Sequence, residues 1–352
     1  VTATTPARSR WASLRVGHAA LRLERRCLWI GTAGIAASLA LAVAALLIGD
    51  YPLSPVQAMQ ALLGTGDDPL ATFFVQRQRA PRMLAAWLVG AALAVSGSLF
   101  QSVSRNPLGS PDVIGFTTGA ATGALVQIVV FDAGPVAVAI GALLGGAGTA
   151  ALVYLLAWRN GLTGTRLVLV GIGVAVCLQA VNNLLVLRTS LGTAQSAASW
   201  LAGSFNATTW DETRLLALAM TALVPAALLL ARPLGTLMLG DELAAGLGIR
   251  PDRVRTLVVV VSVALVSVAT AAAGPIAFVA LAAPQIARRL TGTASVGVGT
   301  AALTGGALVQ ASDLVAQRLF APTQLAVGVV TGTLGGLYLI WLLTREWRRN
   351  TR

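Results

Sequence analysis

Side chains able to do covalent or acid–base chemistry are nearly absent from this chain. All 25 basic residues are arginine, the single histidine is His18, and the two cysteines, Cys27 and Cys177, lie far apart inside apolar runs. Without lysine there is no P-loop and no Schiff base, and without clustered His or Cys there is no metal centre, His-based triad or disulfide framework. No catalytic residue and no metal ligand is therefore assigned. What remains is ionic recognition. Arg77, Arg79 and Arg82 bracket Pro81 in QRQRAPRM, and a guanidinium fork offers a carboxylate two parallel donors. Asp241 and Glu242 stand together in LGDELAAGLGI, and a few polar groups interrupt apolar runs: Gln179, Asn182 and Asn183, then Gln310, Ser312 and Asp313. Charge at a bilayer centre costs about 2.5–3.5 kcal/mol on insertion scales, so such groups face a bundle interior or a water-filled cavity. Asp313 is expected to pair locally with Arg318.

The elements that must hold these residues are membrane helices. The chain is 56% hydrophobic and 11% charged, a balance that no soluble domain carries. Apolar runs long enough to cross fall at 27–48, 83–103, 113–131, 135–157, 167–187, 215–231, 254–273, 296–315 and 324–343, and a shorter one at 275–290 makes a tenth. The fold class is therefore all-α and polytopic: a cytoplasmic Arg-rich arm over 1–26, a ten-helix domain over 27–345 and a tail over 346–352. A net charge of +12 could suit nucleic acid, but here the arginines sit in short loops between spans. With both termini inside, roughly 19 arginines fall on the cytoplasmic side and about 6 outside, as the positive-inside rule requires.

Glycines repeat every four residues at Gly115, Gly119 and Gly123 and at Gly328, Gly332 and Gly336, which marks helix faces that approach a neighbour closely. Packing within one subunit and a subunit interface or pathway wall both fit. Between the sixth and seventh spans, 237–247 reads as a short amphipathic helix with Leu239, Leu243 and Leu247 on one side and a stop at Gly246 and Gly248. Its acids argue for a protein partner rather than an anionic lipid surface.

Five stretches then carry a resemblance: RAPRMLAAWLVGAALAVSGSLFQSVSRNPLGSPDVIGFTTGAATGA from 79, WLAGSF at 200–205, LGDELAAGLGI at 239–249, GPIAFVALAAPQIARRLTG at 274–292 and QLAVGVVTGTLGGLYLIWLL at 324–343. Together they resemble the permease subunits of FecCD-type (type II) ATP-driven importers of iron-siderophore complexes and cobalamin. The resemblance implies a bacterial inner-membrane subunit whose helices 2–5 and 7–10 form an inverted repeat. It implies as partners a second permease, identical or different, two ATPase subunits and an extracytoplasmic substrate-binding protein, with surrounding membrane lipid and no nucleic acid. It implies no cofactor in this chain, with ATP and Mg on the partner ATPase.

Carried onto this sequence, the family's docking arginines correspond to Arg79 and Arg82. Its ninth-helix arginine falls at Gln317, with Arg318 one place on. The coupling segment that enters the ATPase corresponds to Leu239, Asp241, Glu242, Leu243, Ala245, Leu247 and Gly248. Gln179, Asn182, Asn183, Gly328 and Gly332 are expected along the pathway. Gln285 stands where many relatives carry histidine, a variant that points to ferric siderophore, catecholate above all, with cobalamin or haem as alternatives. A secondary transporter would need a coupling residue near the midplane, and Asp313 lies too near the outer end; a membrane enzyme would need convergent acids or histidines.

Overall fold

The computed structural model describes residues 11–16, 19–49, 51–158, 164–293 and 296–350; Arg8, Arg10, His18, Arg159 and Arg352 lie outside them. The chain opens with a two-stranded antiparallel hairpin, β1 (Trp11–Val16) and β2 (Ala19–Glu24), in register from Trp11↔Glu24 to Val16↔Ala19. This hairpin falls within the arm expected over 1–26, ahead of the first span. Everything that follows is helical: α1 (Arg25–Leu47), α2 (Pro55–Leu63), α3 (Pro69–Phe73), α4 (Ala80–Val103), α5 (Phe116–Val129), α6 (Pro135–Ala157), α7 (Gly164–Leu187), α8 (Leu191–Leu201), α9 (Trp210–Leu237), α10 (Asp241–Gly246), α11 (Pro251–Ala273), α12 (Val279–Thr291), α13 (Val298–Arg318) and α14 (Val327–Asn350). Each of the ten predicted runs meets one helix, α1, α4, α5, α6, α7, α9, α11, α12, α13 and α14 in order. Among the described residues, six helical stretches are long and apolar enough to cross a membrane by length and composition: 25–47, 69–103, 135–157, 165–187, 210–237 and 251–273.

The loops hold helices that the hydropathy left blank. Ser54 and Gln57 form a reciprocal capping box at the start of α2, and Gly64 closes that helix in the left-handed region. Asp68 caps α3 by accepting from the amides of Leu70 and Ala71. From α3 the chain continues through a π-helical turn, Phe74–Arg79, directly into α4. Pro81 explains the turn. It has no N–H to return to the preceding turn, which leaves a carbonyl without its helical partner. The indole of Trp210 donates to the Gln76 carbonyl at 2.5 Å, and the Thr213 hydroxyl donates to the Pro81 carbonyl at 3.3 Å.

At the centre stands α4, flanked by α9, α11, α12 and α13, and 83% of the apolar window of 69–103 lies inside the protein. In lipid there is little hydrophobic drive between helices, so close packing of small residues must hold them. A Cβ at Gly90 would collide with the Gly305 carbonyl on α13, and one at Gly97 with the Ala280 carbonyl on α12. The stripe Gly119 and Gly123 on α5 meets Gly141 and Gly145 on α6 in the same way, which is packing within the subunit. The other stripe divides. Gly328 lies against the Ala202 carbonyl, whereas Gly332 and Gly336 face open space.

Candidate functional site: an arginine cluster and an acidic segment

At one end of the bundle, the π turn and the first turn of α4 aim two arginines in different directions. Arg79 donates to the carbonyls of Leu46 at 2.7 Å and Tyr51 at 2.5 Å, and so caps the C-terminal end of α1. A Cβ at Gly49 would meet this guanidinium, so any side chain there would have to displace it. Arg82 donates from Nε and Nη2 to the two carboxylate oxygens of Asp313 at 2.9 and 2.8 Å, and from Nη1 to Gln324 at 3.0 Å. The pair is enclosed, with side-chain exposures of 13% and 5%. Gln317 donates to the same carboxylate at 2.8 Å.

The local Asp313–Arg318 pair expected from the sequence is therefore corrected: the ionic partner of Asp313 is Arg82 on α4. Helical geometry gives the reason, because five residues turn a side chain about 140° away, whereas four leave Gln317 within about 40° of Asp313. Arg318 is the last residue of α13. The arginine cluster borders a cavity of about 210 Å³ that also touches Asn206 and Gln78. Arg77 is exposed on the π turn.

The opposite end of α4 carries the acidic segment. The expected helix over 237–247 is shorter than predicted, because α9 runs on to Leu237, which is buried, and α10 begins only at Asp241. Gly240, at φ 127°, makes the break that no L-residue would accept comfortably. Leu239, Leu243 and Leu247 are 70%, 62% and 71% exposed, with Glu242, Ala245 and Gly248 also exposed, while Ala244 faces inward. Asp241 does not point outward with Glu242. It accepts from Arg255 at 2.7 and 2.8 Å and from Arg105 at 2.9 Å. Hydrogen bonding from Arg255, with the Arg105 charge beside it, holds its carboxyl below the usual aspartate range. Arg105 also donates to the Leu237 carbonyl at 2.7 Å and so caps α9. Both arginines served in the sequence only as orientation markers, since nothing in their spacing ties residue 105 to residue 241.

The polar residues assigned to a pathway do not converge. Gln179 donates to Asn183 at 3.2 Å on the exposed side of α7, Asn182 is buried, and Gly328 packs against α8's end rather than lining an opening. Gln285 donates to the Pro107 carbonyl and Gln101 to the Leu281 carbonyl, so the eighth-run motif ties α12 to α4 and its following loop.

The structure is thus a polytopic helical bundle with ionic clusters at two ends and an exposed leucine trio beside one of them. The chain belongs to the FecCD transport family, whose pattern matches residues 37–345. It is 50% identical over 301 residues to the ferric enterobactin transport system permease protein FepG of Escherichia coli (strain K12), covering 86% of this chain and 91% of that one. It is 39% identical to the achromobactin transport system permease protein CbrC of Dickeya dadantii (strain 3937), covering 88% and 89%. Among solved structures, a metal-chelate type ABC transporter in an inward-facing conformation superposes with a TM-score of 0.81 at 28% identity, covering 90% of this chain and 99% of the other. The chain is thus a multi-pass membrane permease of a bacterial ABC importer; it carries no cofactor, and the ATPase is a separate subunit.

Proposed function

We propose that this permease moves a ferric siderophore, of the catecholate class, inward across the cytoplasmic membrane, with both termini in the cytoplasm. Half of the aligned residues are shared with a ferric enterobactin permease, which supports the cargo class. A binding protein delivers the chelate to the outer cluster around Arg77, Arg79, Arg82 and Arg318, and a second permease completes the channel. On the inner side, Leu239, Leu243 and Leu247 enter the ATPase, and Glu242 meets its polar rim. The observation that carries this reading is that trio: three leucines more than 60% exposed on a segment held from behind by Asp241. Water-exposed leucines beside a carboxylate are costly at a surface unless a partner covers them.

The reading is tested with Leu239→Asp combined with Leu243→Asp in the assembled importer. Co-purification of the ATPase is expected to fall more than tenfold, since two buried anchors are lost, while the binding protein still docks. Undiminished ATPase capture would overturn the coupling role. Cargo is read separately, by whether the unaltered permease restores iron-limited growth on a catecholate but not on a hydroxamate siderophore.

A further inference from the structure

Between α6 and α11 runs a groove of about 660 Å³ that none of the transport roles uses. Its floor is Val259 and Val263, both buried, and its rims are Leu144, Leu155 and Val260, all strongly exposed. Alanines at 147, 150 and 151 keep the α6 side low. The lining from Thr256 to Val268 covers about 18 Å of helix, close to the depth of one leaflet in a core of about 30 Å. The volume lies within the range of about 300–1,000 Å³ typical of small-molecule sites.

One end of the groove is polar and the other is not. At the mouth, the Tyr154 and Thr256 hydroxyls bond at 3.0 Å, and Tyr154 lies 5.3 Å from the ring of Trp158, an exposed indole at the end of α6. Arg253 is exposed and precedes Thr256 by three residues, hence on the same stripe of α11 that continues through Val260 and Ser267. Arg166 donates to the Ala157 carbonyl at 3.4 Å beside the same mouth. Asp252, the one nearby acid on this turn, is turned toward Arg255 at 3.8 Å.

We propose that this groove is a binding site for an anionic phospholipid, one acyl chain lying between α6 and α11 and the phosphate held at Arg253 under the Trp158 edge. An aromatic ring and an arginine at the wet end of a leaflet-deep apolar slot match the two halves of such a lipid. Only the assignment to the inner leaflet rests on the orientation proposed above; with the opposite orientation the same lipid would sit in the outer leaflet.

The test is lipid retention by the complete importer, extracted from vesicles of equal phosphatidylglycerol and phosphatidylcholine and weighed by native mass spectrometry. Wild type is expected to retain phosphatidylglycerol preferentially. Arg253→Ala should lower that retention about fivefold, the effect of one arginine at an anionic surface. Ala151→Trp, at an exposed lining position, should abolish retention of both lipids by filling the slot. Equal retention of the two head groups, or retention unchanged in either variant, would overturn the site. So would disulfide cross-linking of Val260→Cys to a cysteine scanned through the second permease, which would show that protein covers the groove.

Discussion

Arg82 and Asp313 set the chemical problem at the proposed docking face. In the docking proposed above, an acid of the binding protein would meet an arginine that is already paired, so docking through Arg82 would mean exchanging one carboxylate for another. Breaking a buried pair from one side is expensive, about 3–5 kcal/mol, because the remaining charge has no compensation. Arg82→Glu, which would set two carboxylates together, is therefore expected to lower stability by that amount as well as to weaken docking. The exchange of both, Arg82→Asp with Asp313→Arg, restores opposite charges and is expected to recover most of the stability. Thermal unfolding and capture of the binding protein together separate the effects. If docking returns fully with stability in the exchanged pair, Arg82 acts only as a strut, and Arg77 and Arg79 carry the recognition.

Among the elements, α10 depends most on a single residue. Six residues make too short a helix to hold itself in water, so its placement comes from Asp241 accepting from α11 and from the end of α4. Asp241→Asn is expected to loosen α10 without unfolding the bundle and to reduce ATPase stimulation several-fold, with hydrogen–deuterium exchange over 240–249 rising in step. The same pair predicts a pH response. Because the folded-state carboxyl is held below its ordinary value, its stabilisation is complete above the unfolded pKa of about 4 and is lost as pH falls through the lowered folded value. The protection factor over 240–249, which corrects exchange for its intrinsic pH dependence, should thus be flat from neutral pH to about 5 and fall in stronger acid, and the Asn variant should lack that fall.

How much of this was legible in the sequence follows from the range of each interaction. Each hydropathy run fell on a helix, since length and composition are properties of a contiguous run, though among the described residues only six helical stretches are long and apolar enough to cross a membrane. It passed over α2, α3 and α8, whose signals are short caps such as Ser54 with Gln57. The exposure of Leu239, Leu243 and Leu247 was legible in the acidic loop that holds them, but the break at Gly240 was not, so α10 is shorter than the spacing implied and Leu237 belongs to α9. The partners of Asp313 and Asp241 were illegible for a different reason. Arg82 lies 231 positions from Asp313, and Arg105 lies 136 from Asp241. Local pattern carries no record of such pairs; only the packing of α4 against its neighbours makes them.

At the scale of the whole molecule, α4 joins the two ends of the site. Arg82 near its start and Arg105 just past its end are separated by roughly 34 Å of helix, about a bilayer. Its register against α13 is set by Gly90 and Gly305, whose backbones touch. Arg82 stands eight residues before Gly90 and Asp313 eight residues after Gly305, so antiparallel helices that meet at the glycines bring the ion pair to the same height, about 12 Å away. A methyl at Gly90 has no room and must push α13 aside. Gly90→Ala is therefore expected to weaken a pair that it does not touch. In the wild-type background, a double-mutant cycle on Arg82→Ala and Asp313→Ala should return a coupling of about 1–3 kcal/mol, and in the Gly90→Ala background under about 0.5 kcal/mol. Equal coupling in both backgrounds would mean that the pair sets the helix register by itself, and that the glycine contact is only its consequence.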